Sequence, residues 1–332
     1  MAATLDHGSF IISLDFELFW GVRDRRTLKE YGENIRGVRK AIPAMLRLFE
    51  QFEVRVTFAA VGLLTFKNRE ELLQALPAEV PQYHDPRLSP YGSYLDSIGE
   101  HEGVDPHHFG AELLTQIRQA SQHELGSHTF SHYYCLEPGQ SAEEFRADLE
   151  AMRLVAERQG LSFRSIVFPR NQYSEESLAL CRDVGLEVFR GVQEGWAYRS
   201  RSRLREQLLH RAFRFLDAYL PLSGTTCWSY ERLQRAPLIN VPASRFLQPY
   251  SRRLSLFEPL RLRRILNSLE YAAREKQLFH LWWHPHNFGR NLGKNLAFLE
   301  LVLKRYQELR HQYGLQSMTM GEFGRRLSEQ RV

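Results

Sequence analysis

His128 and His132 stand four residues apart in the stretch HELGSHTFSH (123–132), directly behind Gly126 and Ser127. If that segment is helical, one turn separates them and both imidazoles share a face about 6 Å apart, a workable span for two ligands of one metal ion. Taken alone, they could also be loop histidines that bind nothing. The metalloprotease pattern H-E-x-x-H is a poorer match, because Thr129 stands where it requires Glu. A metal site therefore needs a carboxylate from elsewhere in the chain.

SLDFE (13–17) offers two. Side chains alternate along a strand, so Asp15 and Glu17 point one way and Phe16 the other. Two carboxylates so placed repel unless something positive lies between them. A metal held by Glu17, His128 and His132 meets that need and leaves Asp15 free as a base. The plainer alternative is a capping Asp and a solvated Glu. FPRNQY (168–173) ends another strand and brings Arg170 to the same mouth, able to hold Asp15 ionised through a charge-assisted hydrogen bond. HLWWHPHNF (280–288) ends a further strand with His284 and His286 behind paired tryptophans, which reads as a lined pocket. Pro285 between the two histidines is expected to point them in different directions. Tyr173, His286 and Trp283 are the expected substrate-facing side chains.

The elements that must position these residues alternate along the whole chain. Candidate strands are FIISLD (10–15), VRVTFAAV (54–61), the region 123–126, FRSIVF (163–168), LEVFRG (186–191), PLINVP (237–242) and LFHLWW (278–283). Amphipathic helices lie between them. In 141–159, Ser141 and Glu144 form a capping box, and Phe145, Leu149, Met152 and Val155 form the apolar stripe. Two further helices read at 259–276, with Pro259 in the first turn, and at 295–313, closed by Gly314. Alternating strands and helices imply a parallel sheet, and seven or eight such units imply a distorted (β/α) barrel. Chemistry in that architecture gathers where the strands end. The chain reads as one catalytic domain over 1–332. A Pro-, Gly- and Tyr-rich insertion at 77–108 is expected above the mouth, where it would shape access.

Bulk properties exclude several classes. The 332 residues are 43% hydrophobic, enough for a large core. The longest apolar runs are too short to cross a bilayer, and the N-terminus lacks the pattern of a signal peptide, so a cytoplasmic protein is expected. Three cysteines, Cys135, Cys181 and Cys227, are scattered and odd in number, which argues against a disulfide framework. Net charge is +5, and of 44 Lys+Arg only six are Lys, leaving 38 Arg. Arginine suits bidentate binding of phosphate or carboxylate, though a general preference for Arg codons gives the same count. Two clusters stand out, YRSRSRLREQLLHRAFRF (198–215) and SRRLSLFEPLRLRRIL (251–266). Neither interleaves aromatics as a single-strand-binding surface does, and no nucleic-acid partner is expected.

HELGSHTFSH resembles the H-[ST]-x-x-H metal motif of the polysaccharide deacetylase family, VRVTFAAVG is similar to that family's second strand, and SLDFE stands where its Thr-Phe-Asp-Asp motif normally does. The resemblance covers most of residues 10–320, with HTFSH its specific part. It implies Asp15 as general base, Glu17 with His128 and His132 on a divalent metal (Zn²⁺ expected), Arg170 orienting the base, and His284 as general acid. The chain departs from the pattern in three places. Its acids are separated by Phe16, FPRNQY replaces the usual Arg-x-Pro-Tyr form, and HPHN replaces Leu-His-Asp, so His286 competes with His284. The implied activity is metal-dependent removal of an N-acetyl group from an amino sugar in surface-glycan biosynthesis, the substrate being nucleotide- or lipid-linked. Alternatives are a deformylase or other amidase, or a degenerate barrel that binds glycan without turnover.

Overall fold

The computed structural model describes residues 5–329. Nine strands alternate with helices there: β1 (Ser9–Phe16), β2 (Val56–Ala60), β3 (Glu124–Ser127), β4 (Ser165–Ile166), β5 (Val188–Phe189), β6 (Ile239–Asn240), β7 (Arg245–Phe246), β8 (Leu278–Trp283) and β9 (Gln316–Met318). The α-helices are α1 (Leu28–Gln51), α2 (Arg69–Gln74), α3 (Ser93–Asp96), α4 (Ala111–Gln119), α5 (Ala142–Arg158), α6 (Glu175–Asp183), α7 (Leu208–Asp217), α8 (Glu258–Arg274), α9 (Leu292–Tyr313) and α10 (Met320–Glu329).

Every strand pairing is parallel, in the order β6-β5-β4-β3-β2-β1-β8-β7, with β9 against the start of β1. The eight-stranded path is a curled half-barrel, open between β6 and β7. The expectation of a distorted (β/α) barrel holds. The seven strands read from sequence all form: β1 is longer than read, β8 matches its reading, β3 is shifted by one residue, and β2, β4, β5 and β6 are shorter. β7 and β9 escaped notice because two- and three-residue strands carry no period of their own.

Alternation on β1 sorts the two cores. Phe10, Ile12, Leu14 and Phe16 face the helices, in one cluster with Ile42 and Met45 of α1 and Leu299 and Leu303 of α9. Ile11 faces the interior, where it meets Ala59, Val188 and Leu278, and Met320 and Phe323 of α10 close the bottom. Ser13 and Asp15 follow Ile11 on the interior face, so a polar stack rises above this apolar plug. The helix ends follow the sequence rules. Thr27 caps α1 and Ser141 caps α5 through reciprocal capping boxes, and Gly314 ends α9 at φ +71°.

The insertion is not a free loop. Leu88, Leu95 and Ile98 are buried, α3 lies within it, and the Arg23 guanidinium donates to the Leu88 carbonyl. His108 is fixed by Asp105 (2.7 Å) and Tyr94 (2.8 Å), and its carbonyl accepts from the Trp20 indole at 2.7 Å. These bonds tie the insertion to the turn that follows β1, which places it beside the site. No helix of the described residues is long and apolar enough to cross a membrane.

Candidate active site

β1 ends at Phe16 and the chain turns at once. Leu18 takes φ 47°, and the Trp20 amide donates to the Glu17 carbonyl at 3.1 Å. The turn keeps Glu17 over the same face as Asp15. Gly21 makes room for it, since a Cβ there would lie 2.0 Å from the Glu17 carboxyl carbon. Both carboxylates are 3% exposed.

His128 and His132 follow β3, though not on a helix. Thr129 (φ 63°) and His132 (φ 62°) adopt left-handed backbone, and the loop wraps so that the two rings come within 5.0 Å. The expectation of a shared helical face is thus corrected, because a helix cannot hold two left-handed residues in one turn. The loop is held by Asp148 of α5, which accepts from the amides of Phe130 (2.8 Å) and Ser131 (3.0 Å) and from the Ser131 hydroxyl (2.5 Å). Burial pushes the Asp148 carboxyl up to about 6 despite those bonds. Asp148→Ala strands two buried amides, a cost of about 1–3 kcal/mol, and loosens the histidine loop. Metal affinity should fall roughly 10- to 100-fold by the measure of other groups that orient ligands, and titration calorimetry of the metal-free protein reads it. Unchanged affinity would show that Asp148 serves folding only.

The three expected ligands converge. Glu17 Oε2 lies 3.3 Å from His128 Nε2 and 3.0 Å from His132 Nε2, and all three donor atoms lie within 4.8 Å of one another. His128 Nδ1 sits 2.7 Å from the Val167 carbonyl, which can only accept, so Nδ1 carries the proton and Nε2 presents a lone pair. His132 Nδ1 meets the Tyr134 hydroxyl at 3.1 Å, and burial, opposed by Glu17, pushes this imidazole down to about 4. Burial raises the Glu17 carboxyl, but His284, His128 and His132 outweigh it and hold the group well below its ordinary range. A cation among the three donors would be shared by two imidazole nitrogens and one carboxylate. The donor set therefore fits a divalent metal, and two nitrogens with one carboxylate suit Zn²⁺.

Asp15, the expected base, is oriented by a different arginine from the one expected. Arg190, immediately after β5, makes a two-pronged contact with Asp15, Nη1 to Oδ1 at 2.6 Å and Nη2 to Oδ2 at 2.8 Å. It is fully buried, with its guanidinium carbon 4.1 Å from the Trp282 ring centre. Burial raises the Asp15 carboxyl, while Arg190, with His128 and His284, pulls it below the ordinary value. Nη1 also donates to Ser13 Oγ (3.0 Å), and Ser13 Oγ lies 2.8 Å from His280 Nε2. Burial and the charge of Arg190 hold His280 down to about 3, so it stays neutral and bonds the Val241 carbonyl through Nδ1.

Arg170 is displaced by its own backbone. Arg170 and Asn171 take φ 54° and 53°, which swings the guanidinium away from Asp15 onto Asp24 and over the Tyr134 ring at 4.1 Å. It braces Tyr134, and through it His132. LEVFRG held a readable clue to Arg190, an arginine directly ending an apolar strand, where a buried charge requires a partner.

Two substrate-facing expectations are also corrected. Trp283 is fully buried on the helix side, 5.5 Å from Phe288 and 6.4 Å from Phe49. The register pairs Ser13 with Trp282 and Leu14 with Trp283, so Trp282 shares the Asp15 face. Tyr173 packs between Phe168 and Phe189, and its hydroxyl accepts from the Val192 amide, so its ring joins the outer core. Nor do the late histidines diverge. Their rings stack at 4.9 Å and 18°, both beside Glu17.

They differ in exposure and reach. His284 Nε2 lies 3.7 Å from both Asp15 Oδ2 and Glu17 Oε1, and its side chain is 23% exposed. His286 is buried, its Nδ1 lacks a hydrogen-bond partner, and that atom lies 3.8 Å from Glu17 Oε1. Burial and the neighbouring His284 push His286 down to about 3. His284→Ala should keep the metal and lose turnover by about 10²- to 10⁴-fold, the usual worth of a general acid. His286→Ala should instead lower metal content, because its free nitrogen belongs to the ligand side of the pocket. Metal analysis and kinetics on both variants check this, and the reverse pattern would exchange the two roles.

Residues 36–189 match the family model for polysaccharide deacetylases. No curated protein gives a match to the sequence. The fold is similar to that of a protein from Mycobacterium smegmatis described as a polysaccharide deacetylase, with TM-score 0.61 and 13% identity over 99% of this chain and 94% of that one. It is similar as well to one so described from Pseudomonas aeruginosa PAO1, with TM-score 0.55 and 12% identity over 97% and 91% of the two chains. Puue allantoinase shares the fold at TM-score 0.55 and 12% identity, over 97% and 90%. At such identities the likeness is one of fold. The matched segment holds the two motif histidines but neither Asp15, Glu17 nor the late histidines, which the parallel sheet brings to the same mouth. The match over residues 36–189, the architecture and the histidine motif agree in supporting the polysaccharide deacetylase family for this chain.

Proposed function

We propose that the protein is a divalent-metal-dependent hydrolase that removes the N-acetyl group of an amino sugar. The observation that carries this is the meeting of Glu17, His128 and His132 around one point, with Asp15 alongside and clasped by Arg190. A binding module needs the ligands at most; it has no use for a buried, oriented carboxylate beside them. The match of residues 36–189 to the polysaccharide deacetylase model supports the same reaction class.

A divalent ion held by Glu17, His128 and His132 would lower the pKa of a water and polarise the acyl oxygen. Asp15, kept ionised by Arg190, is placed to accept a proton from the attacking water. Arg190 holds both carboxylate oxygens in plane, so the base cannot rotate out of line. His284 is the most exposed of the surrounding histidines and gives a proton to the departing amine as the C–N bond breaks. Trp282 and Phe246, whose rings lie 4.7 Å apart beside His284, offer an apolar wall for a sugar ring. Surface-glycan biosynthesis, with a nucleotide- or lipid-linked sugar, is the setting this reading suits.

The test is release of acetate and free amine from a panel of N-acetylated and N-formylated sugars, nucleotide-linked, lipid-linked and free. Chelation should abolish release and Zn²⁺ should restore it. Preference for formyl over acetyl substrates would establish a deformylase instead, and a metal-binding protein inactive on the whole panel would favour a glycan-binding barrel.

A further inference from the structure

One surface of the molecule is built inside out. Of eighteen large apolar side chains exposed among the described residues, ten lie in 204–222 and 256–260. Leu204, Leu208 and Leu256 are 82%, 80% and 89% exposed. On α7 the apolar stripe, Leu208, Leu209, Phe215 and Leu216, faces outward. Arg214 and Asp217 of the same helix face inward. Asp217 is fully buried against Arg264 (2.6 Å) and Arg245 (3.4 Å), and Arg214 donates to the Ala197 carbonyl (2.6 Å) and to Glu206. An amphipathic helix normally turns its apolar stripe to the core. Here buried ion pairs anchor the other face, so the exposure is designed in. The two segments form one patch, since Tyr219 bridges Phe215 (5.5 Å) and Phe257 (6.3 Å).

The charges around the patch identify its partner. Arg199, Arg205, Arg211, Arg252, Arg253 and Arg263 are exposed, and none makes an ion pair or side-chain hydrogen bond among the described residues. Three acids on these segments are already engaged, Glu206 by Arg201 and Arg214, Glu258 by Arg261, and Asp217 internally. The surface is therefore apolar with a ring of unneutralised positive charge. A second copy docking by two-fold symmetry would bring this ring against itself. An anionic lipid surface satisfies both features, taking the leucines at the acyl boundary while the arginines reach the headgroups.

We infer that this face docks the protein onto an anionic phospholipid bilayer as a peripheral, non-spanning contact. The segment that carries it is tied to the rim of the active site. Ser200 Oγ donates to the Asn171 carbonyl (2.5 Å), the Arg201 carbonyl accepts from Gln172 (3.1 Å), and Arg203 reaches Asp24 (3.5 Å). Asn171 in turn touches Arg190 at 3.1 Å. Docking so close to the mouth favours an acetylated amino sugar presented on a lipid anchor, a consequence that rests on the deacetylase reading, whereas the docking itself does not.

The test is co-sedimentation of the full chain with vesicles of phosphatidylcholine and phosphatidylglycerol in equal parts, compared with phosphatidylcholine alone. Binding should require the anionic lipid and weaken with salt. Arg205→Gln/Arg211→Gln/Arg253→Gln should weaken it roughly a hundredfold, and Leu208→Ser/Leu209→Ser/Leu256→Ser at least as much. Absence of binding, equal binding to both vesicle types, or binding that both variants retain would overturn the inference. So would a dimer, seen by sedimentation velocity, that the leucine variant dissociates, because the face would then be a self-interface. Acetate release from a soluble acetylated sugar should be the same in wild type and leucine variant. A wild type inactive on every sugar but bound to anionic vesicles would count against the deacetylase reading and leave the docking standing.

Discussion

Asp15→Asn should abolish turnover by about 10²- to 10⁴-fold while the purified protein keeps its metal, and Glu17→Ala should lose most of the metal. The two carboxylates are two residues apart, equally buried and on one face, yet their oxygens are engaged differently. Both Asp15 oxygens are taken by Arg190, at 2.6 and 2.8 Å. Glu17 Oε2 instead lies 3.0 and 3.3 Å from two imidazole nitrogens. A carboxylate clasped on both oxygens by a guanidinium is kept ionised and fixed in orientation, with lone pairs left to accept a proton; one placed between two imidazole nitrogens is set up to share a cation. Asparagine keeps the shape of Asp15 and one acceptor for Arg190 but cannot accept a proton. Metal analysis beside kinetics on the same preparations separates the roles. Equal metal loss in both variants would make Asp15 a ligand and leave the reaction without a base.

Arg190→Met should cost both activity and stability, whereas Arg170→Gln should cost less of each. Removing Arg190 leaves the Asp15 charge buried without its partner, a loss of about 3–5 kcal/mol for pairs of this kind. It also frees Ser13 and Asn171 and removes the cation from the face of Trp282. Arg170, paired with Asp24 and stacked on Tyr134, acts on the site only through His132. Arg190→Lys distinguishes charge from shape. A lysine restores one positive charge but not the two-pronged geometry, so urea unfolding should show partial recovery while kcat remains about 10²-fold down. Near-normal turnover in Arg190→Met together with a dead Arg170→Gln would return the orienting role to Arg170.

Repulsion, alternation and capping were legible in the sequence because they act over a few residues. That Asp15 and Glu17 face one way follows from the pleat of a strand, and that they need a cation nearby follows from their charge. HTFSH named two of the candidate ligands, and the alternation of strands with capped helices such as α5 and α9 implied a parallel barrel with its chemistry at the strand ends. The wrong choices, Arg170 for Arg190 and Trp283 for Trp282, share one cause. Each turned on which way a side chain points at the end of an element, and that depends on a backbone angle or a neighbouring strand. Two left-handed residues at 170 and 171 divert one arginine, and the register of β8 against Ser13 and Leu14 selects one tryptophan. His280 went unassigned because its partners lie 267 and 39 residues away. The inverted face of α7 was visible only as an arginine-rich stretch, since the buried Asp217 that turns its apolar stripe outward is paired by residues on β7 and α8. The residue types of the site and the end of the barrel it occupies were thus determined by the sequence, through local forces. Which arginine clasps Asp15, which tryptophan shares its face and which face is left to solvent were decided by tertiary structure, because long-range pairing sets the direction of each of those side chains.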